Sequence, residues 1–128
     1  MGERMGELSQ QFSALAEIYE RFQQIRNRDD AQRKQDLVAN RRRFAEQVGA
    51  LEDILLTGGA KAVDRSITNE CHKRLSRLRT ITAYHQASWP AVKIDEDPEG
   101  YRASSNATHS AFHDFLQWGR EQFPETYT

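Results

Sequence analysis

Where proline falls constrains this chain more than any other feature. Its three prolines, Pro90, Pro98 and Pro124, all follow residue 86, so the first two thirds of the 128 residues hold nothing that removes a helical N–H or clashes with the preceding turn. Long helices are free to run there, and the apolar residues repeat as helices require. Met5, Leu8, Phe12, Leu15, Tyr19 and Phe22, widened by Ile18 and Ile25, keep the three-four spacing of one helix face and predict a first helix over 4–26. Asn27-Arg28-Asp29-Asp30 offers turn and N-cap chemistry, and Leu37, Phe44, Val48, Leu51 and Leu55 carry a second helix over 30–56 to a stop at Thr57-Gly58-Gly59. Ala60, Val63, Ile67, Cys71, Leu75, Leu78, Ile81 and His85 predict a third over 60–87, closed by Ser88-Trp89-Pro90. Asp97-Pro98-Glu99 sets a capping carboxylate, then proline at the first helical position, then an acid in the first turn. A fourth helix follows over 98–123, turning Tyr101, Phe112, Phe115, Leu116 and Phe123 inward until Pro124 closes it.

There is no alternating strand pattern, internal repeat or low-complexity tract, and 128 residues suit one core. Short links at 27–30 and 57–59 force consecutive helices to pack side by side in opposite directions. The expected fold is therefore all-α: a single domain over 1–128, an antiparallel up-down-up-down four-helix bundle. The link at 87–97 is longer, and its Trp89, Val92 and Ile94 have no helical period, so it is expected to fold back as a cap.

Lys plus Arg is 18 and Asp plus Glu is 19, a net charge of −1. Nucleic-acid binding needs a one-sign surface field, so nucleic acid is not an expected partner, and Arg41-Arg42-Arg43 is too short a run to change that. A lone cysteine forms no internal disulfide, which points to a reducing, cytoplasmic setting. Met1–Leu8 has no apolar run like that of a signal peptide, and Gly6 stands where a myristoylation signal wants Ser or Thr. No stretch approaches the roughly 18 apolar residues of a membrane span, so no membrane partner is expected.

Equal climbs from each turn place Leu15, Arg41, Ser76 and His109 at one height. Toward the 57–59 turn the inward positions are Leu8, Phe12, Val48, Leu51, Leu55, Val63, Ile67, Cys71, Phe115, Leu116 and Phe123, a dry core. Toward the long link they become Asn40, Arg41, His85, Tyr101, Ser105, Thr108 and His109. Buried polar groups cost free energy unless each finds a partner, so these residues form a satisfied network, line a pocket or face another protein. In a network, Arg41 pairs with Glu17 or Glu20. In a pocket, Arg41 supplies charge to a small ligand or anion, His85, His109 and Tyr101 supply hydrogen bonds, Asn40 and Ser105 line the wall, and Trp89 is a partial lid.

His109 and His113 have the four-residue spacing of a helical metal clip, to which His72 and Glu46 are the available third and fourth ligands. Glu-x-x-His motifs are absent, and neither His72 nor His85 has the glutamate four residues later that hemerythrins show, so no metal or other cofactor is expected. His72-Lys73-Arg74 resembles histidine phosphotransfer domains, which are four-helix bundles presenting one exposed histidine near a lysine. Leu75-Ser76-Arg77-Leu78 departs from the small residues that follow in those domains. The resemblance implies phosphoryl transfer through His72. Cys71 lies on the buried stripe with His72 turned away from it, and no Gly-rich phosphate loop, nucleophile-base order or inward carboxylate pair occurs, so catalysis is not expected.

The apolar stripe of the first helix is broader than the roughly 100 degrees that a core-facing helix needs. Trp118, Tyr84 and Trp89 sit off the main faces of their elements. From this surplus the leading expectation is a non-catalytic regulatory or adaptor protein acting through a protein partner or self-association. The alternatives are a small-ligand, anion or metal-binding bundle using the polar half, and a phosphotransfer-like protein using His72.

Overall fold

The computed structural model describes residues 2–57 and 63–123, with side chains from residue 7 onward. The Met5 side chain, Gly58, Gly59, Ala60 and Pro124 lie outside the described residues. Four helices are formed: α1 Gly2–Arg26, α2 Arg33–Leu56, α3 Arg65–Ser88 and α4 Pro98–Gln122, with a 3-10 turn at Ala91–Lys93 in the long link. Among the described residues there is no strand.

Aspartates decide where the helices begin. The Asp97 carboxylate accepts the Gly100 N–H at 3.1 Å, and Pro98 occupies the first turn, as the sequence predicts. Helix α3 starts at Arg65 rather than at residue 60, because the Asp64 carboxylate takes the Ser66 N–H at 2.8 Å and the Ser66 hydroxyl at 2.7 Å. Helix α2 starts at Arg33 rather than at residue 30. Asp30 gives its carboxylate to the Arg28 fork at 2.7 Å and to the Gln32 N–H at 3.2 Å, closing a turn instead of capping a helix. Arg28 reaches on to Asp36 at 2.7 Å, which pins the turn to the first coil of α2.

Each helix packs on two neighbours, α1 on α2 and α4, α3 on α4 and α2, and the diagonal pairs make no close backbone approach among the described residues. Across α1/α2 the partners are Gln11 with Gln47, Ile18 with Asn40 and Arg21 with Asp36. Across α1/α4 they are Phe12 with Phe115 and Tyr19 with Phe112, and across α3/α4 Arg74 with Trp118 and His85 with Ser104. On every one of these seams the residue number falls on one helix as it rises on the other, the pattern of antiparallel neighbours. With α2 and α4 both opposed to α1, and α3 opposed to α4, the α2/α3 seam is antiparallel as well.

The larger core cluster joins Leu8, Phe12, Leu15, Val48, Leu51, Cys71, Leu75, Phe115 and Leu116 with others, and Leu55, Val63 and Ile67 pack on its edge. Cys71 has no exposed surface, and burial pushes its thiol up to about 12. Phe12 stacks on Phe115 at 5.1 Å between ring centroids and fits because α4 carries glycine opposite it: a β-carbon at Gly119 would overlap the Phe12 ring. Phe22 meets Phe44 across α1/α2 at 6.3 Å while Tyr19 meets Phe112 across α1/α4 at 5.2 Å. The broad stripe of α1 is thus used on two sides at once. Trp118 packs on Phe115 and Phe123 with the Arg74 guanidinium 4.9 Å from its ring, and Trp89 packs on Tyr101 at 5.9 Å. Of the three off-face aromatics, only Tyr84 stays open, at 77% exposure.

A second apolar cluster of Ile25, Leu37, Ile94 and Tyr101, with Phe22, Trp89 and Ala91 against it, closes the other end. Ile94 comes from the long link, which does fold over the bundle and is tied to α2 by Arg33 and Lys34 gripping Asp95 at 2.6 and 2.8 Å. The polar residues therefore form a layer between two apolar clusters rather than one whole half.

Candidate functional site

In that layer all four helices enclose a cavity of about 30 Å³. Helix α1 contributes Phe22 and Arg26, α2 Leu37 and Arg41, α3 Thr82, His85 and Gln86, and α4 Tyr101, Ser105, Thr108, His109 and Phe112. A water molecule needs roughly 10–15 Å³ on this measure, and a cavity that takes benzene is about 150 Å³. The space suits two waters or one compact ion.

Its chemistry is one-sided. Two guanidiniums and two imidazoles line it, and no carboxylate does. Arg41 Nη2, His109 Nδ1 and Thr82 Oγ1 are fully buried and have no hydrogen-bond partner. Burial holds the Arg41 guanidinium below the usual arginine range, partly opposed by Tyr101. His85 is brought down to about 4, first by burial, then by the charge of Arg41 and by His109. His109 is also brought down to about 4, by burial and then by Arg26. Both imidazoles are accordingly neutral near pH 7. His85 Nδ1 lies 2.6 Å from the Ser104 hydroxyl, and its ring stacks on Tyr101 at 5.8 Å. The His109 ring leans on Tyr19 at 5.2 Å. Each buried donor or acceptor left without a partner costs about 1–3 kcal/mol, and an unpaired buried cation costs more.

Of the polar residues on the inward faces, the structure brings together Arg41, His85, Tyr101, Ser105, Thr108 and His109 around one cavity. Asn40 is elsewhere: its Nδ2 donates to the Ile18 carbonyl at 3.1 Å, locking α2 against α1. Trp89 stands behind Tyr101 and does not line the cavity. The Thr108 hydroxyl donates back to the Ser104 carbonyl at 3.0 Å. Arg41 forms no ion pair with Glu17 or Glu20, because Glu17 opens onto the outer α1/α2 groove beside Arg43 and Glu46. Levels on α1 lie about a turn from those an equal climb predicts. His109 meets Tyr19 instead of Leu15, and Thr82 rather than Ser76 shares its cavity. Sequence reasoning missed Arg26, Thr82 and Gln86. Thr82 carries a readable signal, since it continues the three-four series Leu75, Leu78, Thr82, His85. Arg26, four residues after Phe22, carries a weaker one.

The other histidines do not converge. His113 flanks Tyr19 at 6.2 Å beside Asp114, while His72 Nε2 lies 3.8 Å from a Glu52 carboxylate that also holds Arg79 at 3.0 Å. Glu46 is exposed on the outer groove. Among the described residues no group of three His, Cys, Asp or Glu could hold a metal ion, and no helix is long and apolar enough to cross a membrane. Compared with models of protein families, with curated proteins and with solved structures, the chain has no match.

Proposed function

We propose that this bundle binds a small anion, a halide or a compact carboxylate, in the cavity between its four helices, and acts as a non-catalytic binding or regulatory protein. The observation that carries this reading is Arg41: a half-buried side chain whose Nη2 is fully covered and unpartnered, in a cavity without a carboxylate. Bound anion would accept from Arg41 and from the orphaned His109 Nδ1 or Thr82 hydroxyl, giving at least two of the uncompensated groups a partner. Size sets the class of ligand, because the space admits a few heavy atoms and no aromatic ring. A reducing compartment such as the cytoplasm suits the buried lone thiol.

Thermal melting at constant ionic strength tests the reading. Sodium formate at a hundredfold excess over its Kd is expected to stabilise the protein by about 2.7 kcal/mol, while sodium benzoate is excluded by size. Arg41→Gln should keep the fold and lose the response to formate. Equal responses of the two proteins would overturn the assignment.

A second reading, docking to a protein partner or to a second copy, rests on Val38, Leu56, Tyr84 and Val92, which are 48, 66, 77 and 76% exposed. Light scattering across a wide concentration range checks the homo-oligomeric version of it, which predicts a mass that rises with concentration and falls back on Tyr84→Ser.

A further inference from the structure

We propose that anion entry into this cavity is coupled to proton uptake by the imidazoles of His85 and His109, so that the bundle takes up an anion and a proton together, as the equivalent of a weak acid. This rests on the anion-binding reading above and adds to it the regulation of the same site.

The charged and titratable groups facing the two imidazoles come from three helices. Helix α1 presents Arg26 and the Tyr19 ring, α2 presents Arg41, and α4 presents Tyr101, with His113 on the far side of Tyr19. No acid is among them. In the empty cavity a proton on either ring would be shielded from water and would stand near a guanidinium, Arg41 for His85 and Arg26 for His109, which is why both rings hold their protons weakly. An anion cancels the charge of one guanidinium at short range and removes much of that penalty. The ring then binds a proton from solvent on its free nitrogen, and no other bond is made or broken. Local geometry accommodates the charged form. A protonated His85 keeps its 2.6 Å contact, with Nδ1–H donating to the Ser104 hydroxyl oxygen. His109 Nδ1, buried and without a partner, gains an acceptor in the anion.

Linkage makes the effect reciprocal: if the anion raises proton affinity, protons raise anion affinity by the same factor. The test is titration calorimetry of the full chain with sodium formate near pH 6 in two cationic or zwitterionic buffers of different protonation enthalpy. Formate is ionised throughout this range, so any proton taken up goes to the protein. The expected result is a buffer-dependent heat corresponding to about half to one proton per formate, with Kd weakening about threefold to tenfold per pH unit between about pH 5 and 7. The double variant His85→Gln, His109→Gln should bind formate more weakly, since it lacks the His109 donor, and with a Kd that no longer changes with pH. Formate binding with no buffer dependence and a flat Kd would overturn the coupling and leave the anion site standing. Failure to bind formate at any of these pH values would overturn the anion site itself. The wild-type buffer comparison decides between these outcomes even where the double variant does not fold.

Discussion

Replacing Arg41 by methionine removes a buried cation that faces no acid, while keeping most of the side chain's length and apolar stem. Such replacements are often stabilising, and urea unfolding of Arg41→Met is expected to show a gain of about 1–3 kcal/mol. A loss of stability instead would mean that the guanidinium has a compensating partner in solution. His85 and His109 make the opposite kind of contribution. Their folded-state proton affinity lies below the ordinary value near 6.5, so the unfolded chain takes up protons that the folded chain refuses. Their share of stability is complete above about pH 6.5 and drains away as pH falls toward about 4, by on the order of 3 kcal/mol for the pair once solvent screening of the partly covered rings roughly halves the full effect. Urea midpoints across that range should fall with acidity in the wild type and flatten in the double glutamine variant. Gly119 is the residue whose role is purely spatial. Gly119→Ala drives a methyl into the Phe12 ring within a buried seam and is expected to lower stability by about 1–3 kcal/mol despite alanine's better helix propensity.

Among the elements, helix identity was legible because apolar spacing is a property of the whole segment, and four segments of 24 or 25 residues average out local ambiguity. Helix starts were legible only where the capping aspartate had no other suitor. Asp97 is free to cap α4. Asp30 has the same chemistry but is taken by Arg28, a competition that is invisible in a list of residue types. Asp64 was overlooked because the apolar series running back to Ala60 can be drawn through it. Asp64→Ala removes the cap of α3 and should cost about 1 kcal/mol, read from the denaturation midpoint. Asp97→Ala should cost a similar amount, with an added loosening of the long link seen as faster amide exchange at Ala91–Ile94.

At the scale of the molecule, the inward pattern located a polar layer but misjudged what lies beyond it. Trp89, Val92 and Ile94 have no helical period, which is enough to expect a cap, but nothing in the sequence says that Ile94 joins Ile25, Leu37 and Tyr101 in a second apolar cluster above the layer while Val92 stays outside. Long side chains caused the other errors. An arginine reaches several residues along a helix, so Arg26, one turn beyond Phe22, enters the cavity with little in the sequence to announce it, and no residue count predicts that Glu17 faces away. The surplus aromatics that pointed to an interface are mostly spent inside: Trp118 against Phe115 and Phe123, Trp89 against Tyr101.

The one thiol of the chain sits in the dry cluster, wholly covered and nearly inert. It makes the molecule its own stopwatch. A disulfide-exchange reagent in native buffer can mark each molecule once, and only when the cluster around Cys71 opens, so the labelling rate counts rare openings without any denaturant. An anion held about three turns along α3, in a layer that shares Phe112 with that cluster, should slow the count in proportion to its occupancy. Filling the cavity would then be heard at a sulfur atom that never touches the ligand.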